Sequence, residues 1–345
     1  LDIEPVVDQK NLKPSLTVMG IGGARSNAVN NMIHSNLNNV DFIVANTDAQ
    51  ALENSLCYNR IQLGLEKTKG LGAGADPIIG KDAAEESIDL ISEELRNTNM
   101  LFLTAGLGGG TGTGAATLVS GVTAGNYTLD ATNFGGALDL TNVVASGSFV
   151  ASVGTNGDFS AGTAMTVGAF TVDAAAATSG AITITTVSAG GNATISMGAG
   201  TGSLAIAGLT AAGNFTLDAS TFGGAIDVTA VSASGAGTVS VGSSGDFSAG
   251  QVKMGGAFTL DAGAATTGAV TLTGLDAAGN AVLSMGTGTG SITLVSGITT
   301  GSFTLDATNF GGAIDITNVT ASGAVIVSTP QDLALLDVKR GIQMF

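Results

Sequence analysis

Three phrases at a fixed interval decide most of what this chain can fold into. "TLDATNFGGALDLTNVVASG" begins at Thr128, "TLDASTFGGAIDVTAVSASG" at Thr216 and "TLDATNFGGAIDITNVTASG" at Thr304, so the unit is 88 residues long. "GDFSAG" at Gly157 and Gly245, and "SMGAGTGS" at Ser196 against "SMGTGTGS" at Ser284, keep the same interval. Inside the unit, strand starts near Thr128, Phe149, Thr171, Thr194 and Thr216 step by 21 to 23 residues, which divides 88 into four turns of about 22. A period of this kind means stacked coils, each burying its inner face on the next.

The local pattern agrees with stacking. "AFTLD", "AITITTV", "ATISMG" and "SITLVSG" alternate apolar and hydroxyl residues with the period of two that sends one set inward and the other out. Gly, Asn and Asp punctuate them where a coil must turn. The chain has 53 Gly, no Trp and 4% aromatic residues, which suits small side chains stacked closely. Residues 118–327 are therefore expected to form an all-β solenoid, a β-helix of roughly nine and a half coils and about 45 Å. These phrases resemble the Thr/Gly-rich β-solenoid repeats of bacterial surface or secreted proteins.

Residues 1–116 have a different composition. They carry eight Lys/Arg and 14 Asp/Glu, whereas the remainder carries three Lys/Arg and 13 acids, all Asp. A net charge of −16 argues against nucleic acid as a partner, because that partner needs Lys/Arg to displace counterions from phosphates. The opening "LDIEPVVDQK" has no initiating Met, basic start or long apolar run, so neither a signal peptide nor membrane insertion is expected. One cysteine, Cys57, excludes an intramolecular disulfide.

Strand and helix signals alternate in this part. "SLTVMGIGGARSNAVNNMI" reads as a strand, a glycine turn and a helix with Val29, Met32 and Ile33 on one face, followed by a strand at "VDFIVANTD". "DPIIGKDAAEESIDLISEELRN" reads as one helix with Ala84, Ile88, Ile91 and Leu95 inward. "MLFLTAGLGGGTGTG" is a buried strand delivered into a glycine loop. This is a βαβ pattern, whose ligands bind at the carboxyl ends of the strands.

Four of these stretches resemble the nucleotide-binding part of FtsZ, the tubulin-like bacterial division protein. "GIGGARSNAVNNMI" at 20–33 is similar to its first phosphate loop, "ANTDAQAL" at 45–52 to its second and "LGLEKTKGLGAGADPIIG" at 63–80 to its third. "GGGTGTGAA" at 108–116 is similar to the tubulin signature. The resemblance covers residues 12–116 and implies a truncated Rossmann-like α/β segment that binds GTP or GDP, with Mg2+ as a companion ion, and that self-associates. It implies Gly22, Gly23, Ala24, Arg25, Asn27, Asn46, Asp48, Gly72, Ala73, Gly74, Gly108, Gly109, Gly110, Thr111, Gly112, Thr113 and Gly114 as nucleotide-binding residues. Glycines admit backbone N–H groups to phosphate oxygens, and a helix N-terminus adds positive potential. Turn glycines with no ligand are the plainer alternative.

Two departures bear on activity. Arg25 stands where the family has the last glycine of its first loop; it strains the loop and occludes the site, or pairs with a phosphate. After Ala116 the family's guanine-holding residues, central helix and second-domain acidic loop have no recognisable counterpart, so no catalytic residue is assigned and hydrolysis is not expected. The organisation expected is a tail at 1–11, the FtsZ-like segment at 12–117, the solenoid at 118–328 and a capping helix or frayed tail at 329–345, where Leu333, Leu336 and Val338 face the last coil. The solenoid is expected to fold alone and the FtsZ-like segment to depend on it. Repeated Asp130, Asp218 and Asp306, and Asp139, Asp227 and Asp315, read as solubilising turn residues rather than a metal site. His34 reads as solvent-facing.

The function read from this is an FtsZ-like phosphate-binding segment, catalytically incomplete, on a structural β-solenoid. Its alternatives are an adhesive β-repeat protein with an inert leader, or a chimera. The first implies the cytoplasm, the second the cell surface or secretion.

Overall fold

The computed structural model describes residues 15–329 apart from 97, 99, 106–109, 113–122, 133–137, 141–142, 155–157, 243–244 and 266. The sequence expectations for the 1–11 tail, the Thr117 boundary and the 329–345 helix beyond Thr329 lie outside the described residues.

β1 (Leu16–Ile21) pairs in parallel with β2 (Val40–Asn46) on one side, Leu16 opposite Val40. On its other side is β4 (Met100–Ala105), with Leu16 opposite Met100. β3 (Asn59–Gln62) extends the sheet beyond β2. α1 (Gly23–His34) and α2 (Ala49–Glu53) lie on one face, where Val18, Val29, Val44, Leu52 and Cys57 form a small core with Met32 and Ile33. Alternate residues of the same strands, Met19, Ile21, Ile43, Ala45, Leu101 and Leu103, bury their side chains on the other face, under Ala83, Ala84, Ile91 and Leu95.

The helix expected over 76–97 is two helices. α4 (Pro77–Glu86) begins at Asp76, whose carboxylate accepts the Ile78 N–H at 2.9 Å, and α5 (Ile88–Leu95) follows a break at Ser87. The Ser87 hydroxyl accepts the Gly64 N–H at 3.0 Å, a bond from a distant loop that holds the serine out of helical register. α3 (Leu65–Thr68) is a single turn between β3 and α4.

Beyond β4 the sheet does not end. Asn126–Ala131 pairs with β4 in parallel, Leu101 opposite Tyr127, and then with Phe149–Val153, Tyr127 opposite Phe149. The same column runs on through Phe170, Ala193, Phe215, Gly237, Phe258, Ala281, Phe303 and Val325, each opposite the next. Its intervals are 22, 21, 23 and 22 residues, and this order then repeats. A second parallel sheet stacks at the same step; Phe159, Ile182, Leu204, Ile226, Phe247, Val270, Ile292 and Ile314 occupy successive rungs of it. Inward residues of both sheets join the core beneath α4 and α5, so one apolar interior runs from Met19 to Val319.

Corners of the stack are built by two devices. The Oδ1 atoms of Asn126, Asn192, Asn214 and Asn280 accept the backbone N–H of Ser148, Asn214, Ala236 and Ser302 on the following rung at 2.8–3.0 Å. A glycine column, Gly202, Gly224, Gly245, Gly268, Gly290 and Gly312, brings each glycine so near the carbonyl oxygen of the one before that a Cβ would overlap it. Inside, the rings of Tyr127, Phe149 and Phe170 stack at 5.2 and 5.0 Å with interplanar angles of 7° and 10°. Tyr127 opens this column with a buried hydroxyl that has no hydrogen-bond partner; burial pushes its pKa far up.

Two outcomes follow. Gly224→Ala should lower unfolding free energy by about 1–3 kcal/mol, since backbone must move on two rungs, whereas Gly208→Ala, whose Cβ would meet only the Thr185 oxygen at 3.4 Å, should cost far less. Equal denaturation midpoints for the two variants would contradict the column. Tyr127→Phe should stabilise the chain by about 1 kcal/mol, because it removes an orphaned hydroxyl and installs the residue that stands at Phe215 and Phe303 one and two units later. A midpoint below that of the parent chain would show that the hydroxyl has a partner.

Candidate phosphate site

Four loops meet at the carboxyl ends of β1, β2 and β4. The first turns at Gly22, where φ is +80° and the N–H donates to the Ala45 carbonyl at 3.0 Å; α1 starts at the next residue with no side-chain cap on its first turn. A Cβ at Gly22 would stand 3.3 Å from the Gly112 nitrogen, so the first loop and the fourth approach through bare backbone. Gly110, with φ at +75°, stands where a Cβ would come 3.1 Å from the Ala75 Cα of the third loop. α4 is seated against the same place through Gly80, whose Cβ would meet the Gly110 oxygen at 2.5 Å.

The second loop ties the others together. Thr47 Oγ1 and Thr111 Oγ1 share a buried hydrogen bond of 2.5 Å. The Thr47 carbonyl accepts Gln62 Nε2 at 2.9 Å, Thr68 Oγ1 at 3.3 Å and the Gly72 N–H at 3.3 Å. Ala49 N–H donates to the Gly70 carbonyl at 3.1 Å, and Asp48 bridges Leu71. Asp48 caps α2, accepting from Gln50 and Ala51 N–H at 2.9 and 3.2 Å. Gly72 and Gly74 of the third loop take φ of +87° and +59°, and Ala73 is buried.

Asn46 follows at the end of β2, before this second loop. It is 2% exposed; its Oδ1 accepts the Asp48 N–H at 3.3 Å, and its Nδ2 has no partner. An unsatisfied buried amide costs about 1–3 kcal/mol, and a bound anion or hydroxyl would recover it. Bare backbone at Gly22, Gly110 and Gly112, beside a helix N-terminus, suits a phosphate.

The structure brings Gly22, Gly23, Asn46, Asp48, Gly72, Ala73, Gly74, Gly110, Thr111 and Gly112 to this end of the sheet. Gly108, Gly109, Thr113 and Gly114 lie outside the described residues, as do the side chains of Ala24, Arg25 and Asn27. The strain expected at Arg25 is not present: Arg25 lies inside α1, where φ is negative, and the left-handed position of this loop is Gly22. Thr111 is buried and its Oγ1 shares a hydrogen bond with that of Thr47, a residue between Asn46 and Asp48 to which the sequence pattern gives no such role. His34 is exposed at the end of α1.

Four of the repeated acids, Asp130, Asp218, Asp306 and Asp315, are occupied locally. Asp130, Asp218 and Asp306 each accept the N–H and hydroxyl of the residue two places on, Thr132, Ser220 and Thr308. The Thr308 hydroxyl, then its amide, holds the Asp306 carboxyl below its ordinary range. Among the described residues no three His, Cys, Asp or Glu side chains gather as a metal site, and no helix is long and apolar enough to cross a membrane. The Asp139 side chain lies outside the described residues.

Residues 15–134 match the family described as "Tubulin/FtsZ family, GTPase domain". A cell division protein FtsZ of Wolbachia sp is 66% identical over 109 residues, which are 32% of this chain and 27% of that protein. Its counterpart in Rickettsia typhi is 62% identical over 109 residues, 32% and 24% of the two chains. A solved FtsZ dimer of M. jannaschii is 38% identical over 34% of this chain and 36% of that one, at a TM-score of 0.31. The chain spans about a quarter of the length of the Wolbachia and Rickettsia relatives. The match ends inside the first repeat phrase, so it is the N-terminal third of this chain, with the first rung of the stack, that is similar to the FtsZ GTPase domain.

Proposed function

We propose that this segment holds the phosphates of GTP or GDP and that the repeat is a β-solenoid serving as its structural support. The observation that carries the reading is the approach of the first, third and fourth loops through bare backbone, Gly22 to Gly112 and Gly110 to Ala75, with Gly72 and Gly74 left-handed beside them. Phosphate oxygens would accept from backbone N–H groups of the first and fourth loops, and Asn46 Nδ2 would donate to the ligand. In the proposed site one oxygen of Asp48, Oδ1, caps α2, and a companion Mg2+ would be held by phosphates and water, with Oδ2 within the carboxylate's reach of a metal-bound water. Gly108, Gly109, Thr113 and Gly114 belong to the same proposed loop by their place in "GGGTGTGAA". The family likeness favours self-association and work in the cytoplasm, at cell division.

Hydrolysis is not part of the proposal. Past residue 134 the sequence is repeat to about residue 328 and then "TPQDLALLDVKRGIQMF", with no stretch resembling the acidic loop or guanine-holding residues implied by the FtsZ likeness. Discrimination between bases requires contacts to the base, and phosphate contacts alone do not supply them.

Calorimetric titration of the purified chain with GTP, GDP and ATP tests this. The expected outcome is binding weaker than micromolar, with GTP and ATP within about tenfold of each other, lost in Gly22→Ala, and no phosphate release above a protein-free blank. Submicromolar GTP binding with strong rejection of ATP, or phosphate release abolished by Thr111→Ala, would overturn it.

A further inference from the structure

Thr47 and Thr111 meet through a single hydrogen bond between two hydroxyls, Oγ1 to Oγ1 at 2.5 Å. Each hydroxyl carries one proton to donate and can accept as well. Their one bond therefore spends one proton and leaves the other, and whichever is left decides what this corner of the site can bind.

Burial assigns the direction. Thr47 is 0% exposed, and among the described residues its Oγ1 has no partner besides Thr111. If Thr111 donated, the Thr47 proton would stay buried without an acceptor, at a cost of about 1–3 kcal/mol. If Thr47 donates, the proton left over is that of Thr111. Thr111 is 8% exposed, and its Cβ stands 3.9 Å from where a Cβ on Gly22 would lie, at the gap between the fourth loop and the first.

We infer that Thr47 is a positioning residue: it donates to Thr111 and so turns the Thr111 proton toward that gap, as a fixed donor to an oxygen that carries no proton, such as a phosphate oxygen. The inference rests on the phosphate site proposed for these loops and adds to it a residue that need not touch the ligand. Thr47 is held in this role from both ends. Its side chain is β-branched and stiff at χ1, and its carbonyl accepts Gln62 Nε2, Thr68 Oγ1 and the Gly72 N–H, which come from β3, α3 and the third loop. A hydrogen bond to a charged oxygen is roughly twice as strong as one between neutral groups. A hydroxyl already aimed at the phosphate contributes more of that strength than one that must first leave another acceptor.

Calorimetric titration of the full chain with pyrophosphate and with GTP tests this in the parent, Thr47→Val, Thr47→Ser, Thr111→Val and the double Thr47→Val, Thr111→Val variant. Valine keeps the shape of threonine and the backbone bonds of position 47 but removes the donor, and serine keeps the donor. Thr47→Val should bind on the order of tenfold more weakly than the parent, and Thr47→Ser within about threefold of it. Thr111→Val should lose at least as much as Thr47→Val, and the double variant no more than Thr111→Val alone. Equal binding by the parent and Thr47→Val, or by the parent and Thr111→Val, would overturn the inference and leave the phosphate site standing. A Thr47→Val loss that persists at full size in the Thr111→Val background would overturn it too, because Thr47 would then act through another group. No binding of either ligand by the parent at millimolar concentration would overturn the phosphate site itself, and this inference with it.

Discussion

The main-chain ladder between Met100–Ala105 and Asn126–Ala131 is the interaction on which the rest depends. In a doubly wound sheet the strand beyond β4 would be the next α/β strand; here that slot is filled by the first rung of a parallel stack. An α/β sheet cut at β4 would expose a row of unpaired N–H and C=O groups and one apolar face. Pairing Leu101 with Tyr127 and Leu103 with Leu129 closes the edge and carries inward side chains into the interior of the stack. The two compositions of the sequence thus share one sheet and one core.

The same seam positions the candidate site. Gly110–Gly112 follows β4 in the chain, and Asn126–Ala131, the first rung, pairs with β4 itself, so the fourth loop of the candidate site lies in the sequence between the two strands of the seam. That loop is held from three sides: by Gly22 of the first loop, by the Thr47 hydroxyl, and by Gly80 and Ala75. A loosened seam would therefore be felt at Thr111 and, through Thr47, at the second and third loops.

Local signals carried much of this in the sequence. The glycine turn at Gly22, the inward face of α1 at Val29 and the strands ending in loops are all patterns within some twenty residues. So is the interval at which Tyr127, Phe149 and Phe170 come to lie opposite one another. What was not legible depends on partners far along the chain. Ser87 interrupts a helical pattern because Gly64 needs an acceptor; Thr47 acquires its role from Thr111, 64 residues away; Gln62 supports the second loop from β3. The seam itself has no local signature, since Asn126–Ala131 reads as one more repeat strand and nothing in its residues names β4 as its neighbour.

Cys57 offers the most direct test of the shared sheet. It is the single thiol of the chain, buried in the small core under α1 and α2, with Sγ bonded to the carbonyls of Phe42 at 3.1 Å and Asn59 at 3.2 Å. Burial raises its pKa, so it should resist alkylation at neutral pH. Proline at position 128 would remove a ladder donor opposite Phe102. Thiol labelling of the native chain and of Thr128→Pro is therefore the deciding measurement. The account predicts a protected thiol in the native chain and a reactive one in the variant, with the β-sheet signal of the stack largely retained. A thiol that reacts at the unfolded rate in the native chain, or remains protected when the seam is broken, would contradict it.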